Sequence, residues 1–160
     1  MATEDIKTPY QVVFDAFLSK IQEDDWSEYM DEEAYTADWI SILHAAMAQF
    51  KFPRFNTKLN DQSKEFNDEL TDQEVEILAQ LMKQEWLDRT IHDWQEIKLL
   101  YDERDFSPAN MLDKLIKALE FTATKVYKLQ KSYSRSILSA DGNKRVFDYT
   151  IFGGKRNGTR

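Results

Sequence analysis

The apolar positions near the start of the chain recur with a helical period. In "TPYQVVFDAFLSKI", Val13, Phe14, Phe17, Leu18 and Ile21 fall on one helical face. Thr8 is placed as an N-cap and Pro9 as the first helical residue, where a missing N–H removes no intrahelical bond. The run "QEDDWSEYMDEE" keeps no regular period and fits a loop with a short helical turn. Asp31 is placed to cap the next helix, in which Tyr35, Trp39, Ile42, Leu43, Ala46 and Phe50 keep helical spacing. "KFPRF" ends that helix, because Pro53 disfavours helical geometry at Phe52, and Phe50, Phe52 and Phe55 gather into an apolar corner.

The polar stretch "NTKLNDQSKEFNDE" reads as a surface connection anchored by Leu59 and Phe66. "LTDQEVEILAQLMKQEWL" then carries the strongest local signal. Thr71 with Glu74 three residues on is a capping box, and Leu70 with Val75 is a hydrophobic staple. Val75, Leu78, Met82 and Trp86, with Leu81 beside them, predict the buried face, and a break or kink is expected near Thr90. A last helix starts at Ser107 and Pro108, and no Gly or Pro follows until Gly142. Leu112, Leu115, Leu119, Thr122, Val126, Leu129 and Tyr133 form a stripe along it. Extended to Ile137, this helix would be about 46 Å long. Its second half carries Lys125, Lys128, Lys131 and Arg135 and no acid.

"SADGNKR" turns the chain into a segment of strand character, in which Val146, Phe147, Tyr149, Thr150, Ile151 and Phe152 have high β-propensity. No convincing second strand accompanies it. Its backbone donors and acceptors therefore call for a partner, and strand addition to another molecule is the favoured reading. A local hairpin with residues 136–139 is the alternative. The expected fold is mainly α: a helical bundle over residues 1–140 with one long C-terminal helix, followed by a β-strand and an extended basic tail over 141–160.

At 160 residues with 4 Gly and 3 Pro, the chain reads as one domain with no linker. The lack of Cys excludes disulfides and thiolate chemistry. Neither a signal-peptide pattern nor an apolar run of membrane-spanning length is present, so a soluble protein that does not enter a membrane is expected. The net charge of −8 hides a division: residues 1–120 hold 12 Lys/Arg and 27 Asp/Glu, whereas 121–160 hold 9 and 2. A one-signed terminal block suits an interaction segment, and docking on an acidic protein surface suits this one better than DNA.

Catalytic signatures are absent from the sequence. There is no Gly-rich phosphate loop, HExxH, Cys nucleophile or GxSxG, so neither an enzyme nor a cofactor is expected. His44, between Leu43 and Ala45, reads as a packed or hydrogen-bonded core residue, and His92 as part of a solvated charged face rather than a metal ligand. "EDDWSEYMDEE" lacks the alternating ligands and central Gly of a calcium loop.

Four pieces, "ILHAAMAQFKFPRF", "LTDQEVEILAQLMKQEWL", "DFSPANMLDKLIKALE" and "LQKSYSR", cover most of residues 40–135. In that order they resemble the connector, or neck, proteins of tailed bacteriophages, also called adaptors or head completion proteins. Residues 1–33 match no part of that pattern. The resemblance implies a virion protein, made in the host cytoplasm, that forms a dodecameric ring below the portal. Such a ring joins head to tail, contacts the next neck or tail-completion protein, and lets DNA pass without sequence-specific contact. Arg145, Val146, Phe147, Tyr149, Ile151 and Phe152 would then dock to the portal protein, helped by Lys155 and Arg156. Charge alone suggests the contact between subunits, with Asp24, Asp25, Asp31 and Glu32 of one facing Lys125, Lys128, Lys131 and Arg135 of the next. The alternative is an acidic regulatory binding protein, either an inhibitor of a host protein or a nucleic-acid mimic.

Overall fold

The computed structural model describes residues 7–21, 32–100, 107–138 and 144–146. The expected contact residues Asp24, Asp25 and Asp31, and docking residues Phe147, Tyr149, Ile151, Phe152, Lys155 and Arg156, lie outside the described residues. The described residues are mainly helical: α1 (Tyr10–Leu18), α2 (Glu32–Gln49), α3 (Asp72–Leu100) and α4 (Ser107–Arg135). Two antiparallel ribbons complete them, β1 (Leu59–Asn60) with β2 (Glu65–Phe66) and β3 (Ser136–Leu138) with β4 (Lys144–Val146).

Thr8 is not the cap of α1. Pro9 holds the N-cap position in extended geometry, and no side chain caps the helix. Thr8 instead joins the first ribbon: its N–H donates to the Asp68 carbonyl, its carbonyl accepts from the Phe66 N–H, and its hydroxyl accepts from the Leu70 N–H at 2.8 Å. Pro9 bridges Glu65, and the Tyr10 N–H donates to the Lys64 carbonyl at 2.8 Å. The buried donors of the ribbon thus take priority over the local capping preference.

Helix α3 is the centre of the bundle. Every residue from Ile77 to Met82 is buried, and α1, α2 and α4 all pack on this helix. A helix covered on all sides loses its amphipathic period, and the predicted face of Leu78, Leu81 and Met82 is only part of what is buried. The expected break near Thr90 does not occur. α3 runs unbroken to Leu100, and the Thr90 hydroxyl donates to the Trp86 carbonyl at 2.8 Å, within the helix. The capping box at its start is formed. The Thr71 N–H reaches Glu74 Oε2 at 2.8 Å, and the Glu74 N–H reaches Thr71 Oγ1 at 3.4 Å.

The core joins Val13, Phe14 and Phe17 of α1, Trp39, Ile42, Leu43 and Ala46 of α2, the centre of α3, and Val126 and Tyr133 of α4. Aromatic rings link these layers edge to face: Tyr10 to Phe66 at 5.0 Å, Phe66 to Phe55 at 6.3 Å, Phe55 to Phe50 at 5.4 Å, and Phe50 to Tyr133 at 5.5 Å. Helices α3 and α4 form an antiparallel hairpin, as the pairs Glu74–Tyr133 and Glu76–Lys125 require. Both helices have 29 residues, so each is about 43 Å long. Beyond Met82, α3 still buries Leu87 and Ile91 and is bonded to α2 through Arg89, which donates to Asp38 Oδ1 at 3.2 Å and to the Ser41 hydroxyl at 3.2 Å.

The end of α4 differs from the expectation. The helix stops at Arg135, and Ser136–Leu138 is a strand whose register pairs Ser136 with Val146, Ile137 with Arg145 and Leu138 with Lys144. The strand is therefore not solitary over Lys144–Val146, and the local hairpin is the arrangement that forms. Arg54 anchors this junction: its guanidinium donates to the Tyr133 carbonyl at 2.6 Å and to that of Ser136, two carbonyls that the end of the helix leaves without helical partners.

Candidate interaction surface

A groove of about 560 Å³ lies between the turn after α2 and the side of α4. Its apolar wall includes Leu81, Ala123 and Val126, and Phe52 and Tyr127 stand at its rim. The expected apolar corner is only partly buried. Phe50 and Phe55 are in the core, whereas Phe52 is 76% exposed. Phe52 also has φ of 57°, a left-handed backbone that costs a bulky residue about 1–2 kcal/mol. Hydrogen bonds on either side hold it. The Lys51 N–H donates to Gln130 Oε1 at 2.6 Å, and the Arg54 N–H to the Tyr133 hydroxyl at 3.1 Å. Gln130, itself buried, thereby ties α4 to the turn that forms the opposite wall.

The outer surface of α4 is basic and aromatic. Phe121 is 72% and Tyr127 59% exposed, and Met111 is exposed nearer the start of the helix. Lys125, Lys128, Lys131 and Arg135 are all exposed. The Lys131 ammonium sits 5.6 Å from the centre of the Tyr127 ring. Lys125 is already engaged within the chain, 3.5 Å from Glu76 Oε1, while Lys20 pairs with Glu76 Oε2 at 2.7 Å. Burial raises the Glu76 pKa, but the hydrogen bonds from Lys20 and Gln80 and the charges of Lys20 and Lys125 outweigh it, leaving the carboxyl below its usual range. Lys83 donates to the Lys20 carbonyl at 2.9 Å, and burial first, then the charges of Lys125 and Lys20, lower its pKa. Glu32 starts α2, and Arg145 and Val146 lie on β4. The other predicted acidic contact residues, Asp24, Asp25 and Asp31, lie outside the described residues.

His44 is hydrogen-bonded but half exposed, so it is not a core residue. Its Nε2 lies 2.9 Å from Asp61 Oδ2, and the buried Tyr10 hydroxyl donates to Asp61 Oδ1 at 3.2 Å. Burial, together with the Asp61 charge and hydrogen bond, pushes the Tyr10 hydroxyl well above its usual range. The three side chains brace α1, the β1–β2 turn and α2, and no sequence spacing announces them. His92 is exposed. Among the described residues, no group of three or more His, Cys, Asp or Glu is placed to hold a metal, and no helix is long and apolar enough to cross a membrane.

A second hollow, of about 470 Å³, includes Asp68, Glu69, Asp72 and Glu74 together with Arg54 in its lining. No family model, curated protein or solved structure matches this chain.

Proposed function

We propose that the chain is a structural subunit of a tailed-phage neck. Copies assemble side by side into a ring below the portal, with a dodecamer as the expected closure, and the ring continues the DNA channel between head and tail. The observation that carries this reading is the outer surface of α4. It displays Phe121 and Tyr127 among Lys125, Lys128, Lys131 and Arg135, and residues 121–135 contain no acid. Exposed aromatic side chains of this size favour contact with another protein. Residues 1–120 are acidic, so a subunit carries two unlike surfaces, as a head-to-tail contact that closes into a ring requires. The β3–β4 ribbon has two strands, so it offers an outer edge to which a portal strand could add. On this reading Arg145 and Val146 begin the docking segment, and the other face of the ring meets the next neck or tail-completion protein.

The test is mass photometry of the full chain, alone and mixed with the portal protein encoded beside it, next to a chain ending at Ser139. The expected result is a ring-sized assembly with the portal that disappears on truncation. A full chain that stays monomeric and ignores the portal would overturn the proposal.

A further inference from the structure

We propose that the groove between the Gln49–Phe52 turn and α4 receives residues 147–152 of the same chain as an extended segment. The register of the second ribbon sets the starting point. Val146 lies opposite Ser136, the residue directly after α4, and β4 runs antiparallel to β3. The chain therefore returns towards the last turn of α4, where Ser134 and Lys131 form the near end of the groove.

The dimensions agree. Along α4 the groove extends from Ser134 to Ala123, a helical distance of about 17 Å. Six extended residues span about 20 Å. Each strand residue advances about as far as two helical residues, so Ile151 comes level with Ala123 and Val126.

The chemistry agrees as well. In "FDYTIF", Phe147, Tyr149 and Ile151 share one side of an extended chain. That side matches a wall of Leu81, Ala123 and Val126 flanked by Phe52 and Tyr127. The lining contains Lys51 and Lys131 and no acid, while the segment contains Asp148 and no base. Covering the groove also accounts for a bulky aromatic residue being held outward at positive φ beside it. Because the segment is joined to the groove's near end, its effective concentration there is on the order of millimolar, which favours its own groove over that of a second copy. The inference does not depend on the neck reading. If both hold, a partner that captures this segment must first displace it from the groove.

The absence of Cys makes a direct test available. The full chain carrying Ala123→Cys and Ile151→Cys is oxidised at low protein concentration and analysed by non-reducing electrophoresis and peptide mass spectrometry. Its control carries Lys128→Cys with Ile151→Cys, since Lys128 is exposed on α4 outside the groove lining. Far-UV circular dichroism establishes that both variants keep the helical content of the parent. The expected result is an intramolecular disulfide that forms about tenfold or more faster in the Ala123 variant than in the control. Equal rates, no disulfide, or crosslinked dimers that increase with concentration would each overturn the proposal, the last by assigning the groove to a second copy.

Discussion

Replacing Tyr133 with Phe removes one hydroxyl from the joint that fixes the base of the α3–α4 hairpin. That hydroxyl donates to Glu74 Oε1 and accepts from the Arg54 N–H at 3.1 Å, while the ring packs on Phe50 in the core. Tyr133 is 2% exposed and Glu74 is also buried. A hydrogen bond to a charged acceptor contributes about 1.5–3 kcal/mol, and the Arg54 N–H, closer to solvent, loses less when its acceptor goes. Glu74 keeps the donors from Thr71, so it is not left bare. The expected cost is about 2–3 kcal/mol. With a urea m value of about 2 kcal/mol/M, the midpoint falls by about 1–1.5 M with m unchanged.

The same pair of proteins should diverge with pH. Burial, then the hydrogen bond and charge of Glu74, push the Tyr133 hydroxyl up to about 12, against the opposing effect of Arg54. The folded chain therefore holds this proton where the unfolded chain, titrating near 10, has lost it. The contribution is complete below pH 10 and is lost as pH rises towards 12, a decline of about 2–3 kcal/mol that the Phe variant lacks. Urea curves at several pH values, followed by circular dichroism and tryptophan fluorescence, measure both effects. A loss below about 0.5 kcal/mol at neutral pH, far under the expected range, or parallel alkaline slopes in the two proteins, would refute the reasoning.

Thr71→Ala should lower stability by about 1–2 kcal/mol, because the hydroxyl both caps α3 and donates to buried Glu74 at 2.8 Å; urea unfolding checks it. Phe52→Gly should leave stability unchanged or raise it by up to about 1 kcal/mol, since glycine relieves the left-handed backbone at the cost of a more flexible unfolded chain. A thermal melt that drops instead would show that the ring's contact with a segment seated in the groove outweighs the relief of the backbone. Reversing Lys128 and Lys131 to Glu should weaken ring assembly in mass photometry while the monomer stays folded by circular dichroism, because among the described residues neither lysine is ion-paired with an acid. Unchanged assembly would remove this face from the subunit contact.

What the sequence revealed was local, and what it hid was long-range. The capping box needs only Thr71 and Glu74, three residues apart, and it forms as the spacing requires. The stripe on α4 likewise places Thr122, Val126 and Tyr133 inward. Thr8 misleads because a good N-cap residue is also a good side-chain acceptor, and the Leu70 N–H, 62 residues away, takes it. Thr90 has only a modestly lower helix propensity than its neighbours, too little to break a helix that buries Leu87 and Ile91 on either side of it. The strand Ser136–Leu138 is three residues long and adjoins a helix, so its propensity is diluted by the helical pattern before it. The surface features are less legible still. Gln130 meets Lys51 across 79 positions and Tyr10 meets Asp61 across 51, and no periodicity encodes such pairs.

Those distant pairs also explain why the groove is ready-made. Two residues on the inner face of α4, Gln130 and Tyr133, accept hydrogen bonds from the backbone on either side of Phe52. The turn cannot relax towards an ordinary backbone at Phe52 without giving up both bonds, each of which would leave a partly buried partner unsatisfied. The wall is consequently fixed by the same contacts that attach α4 to the body. An incoming segment then has only its own freedom to lose, which lowers the cost of binding.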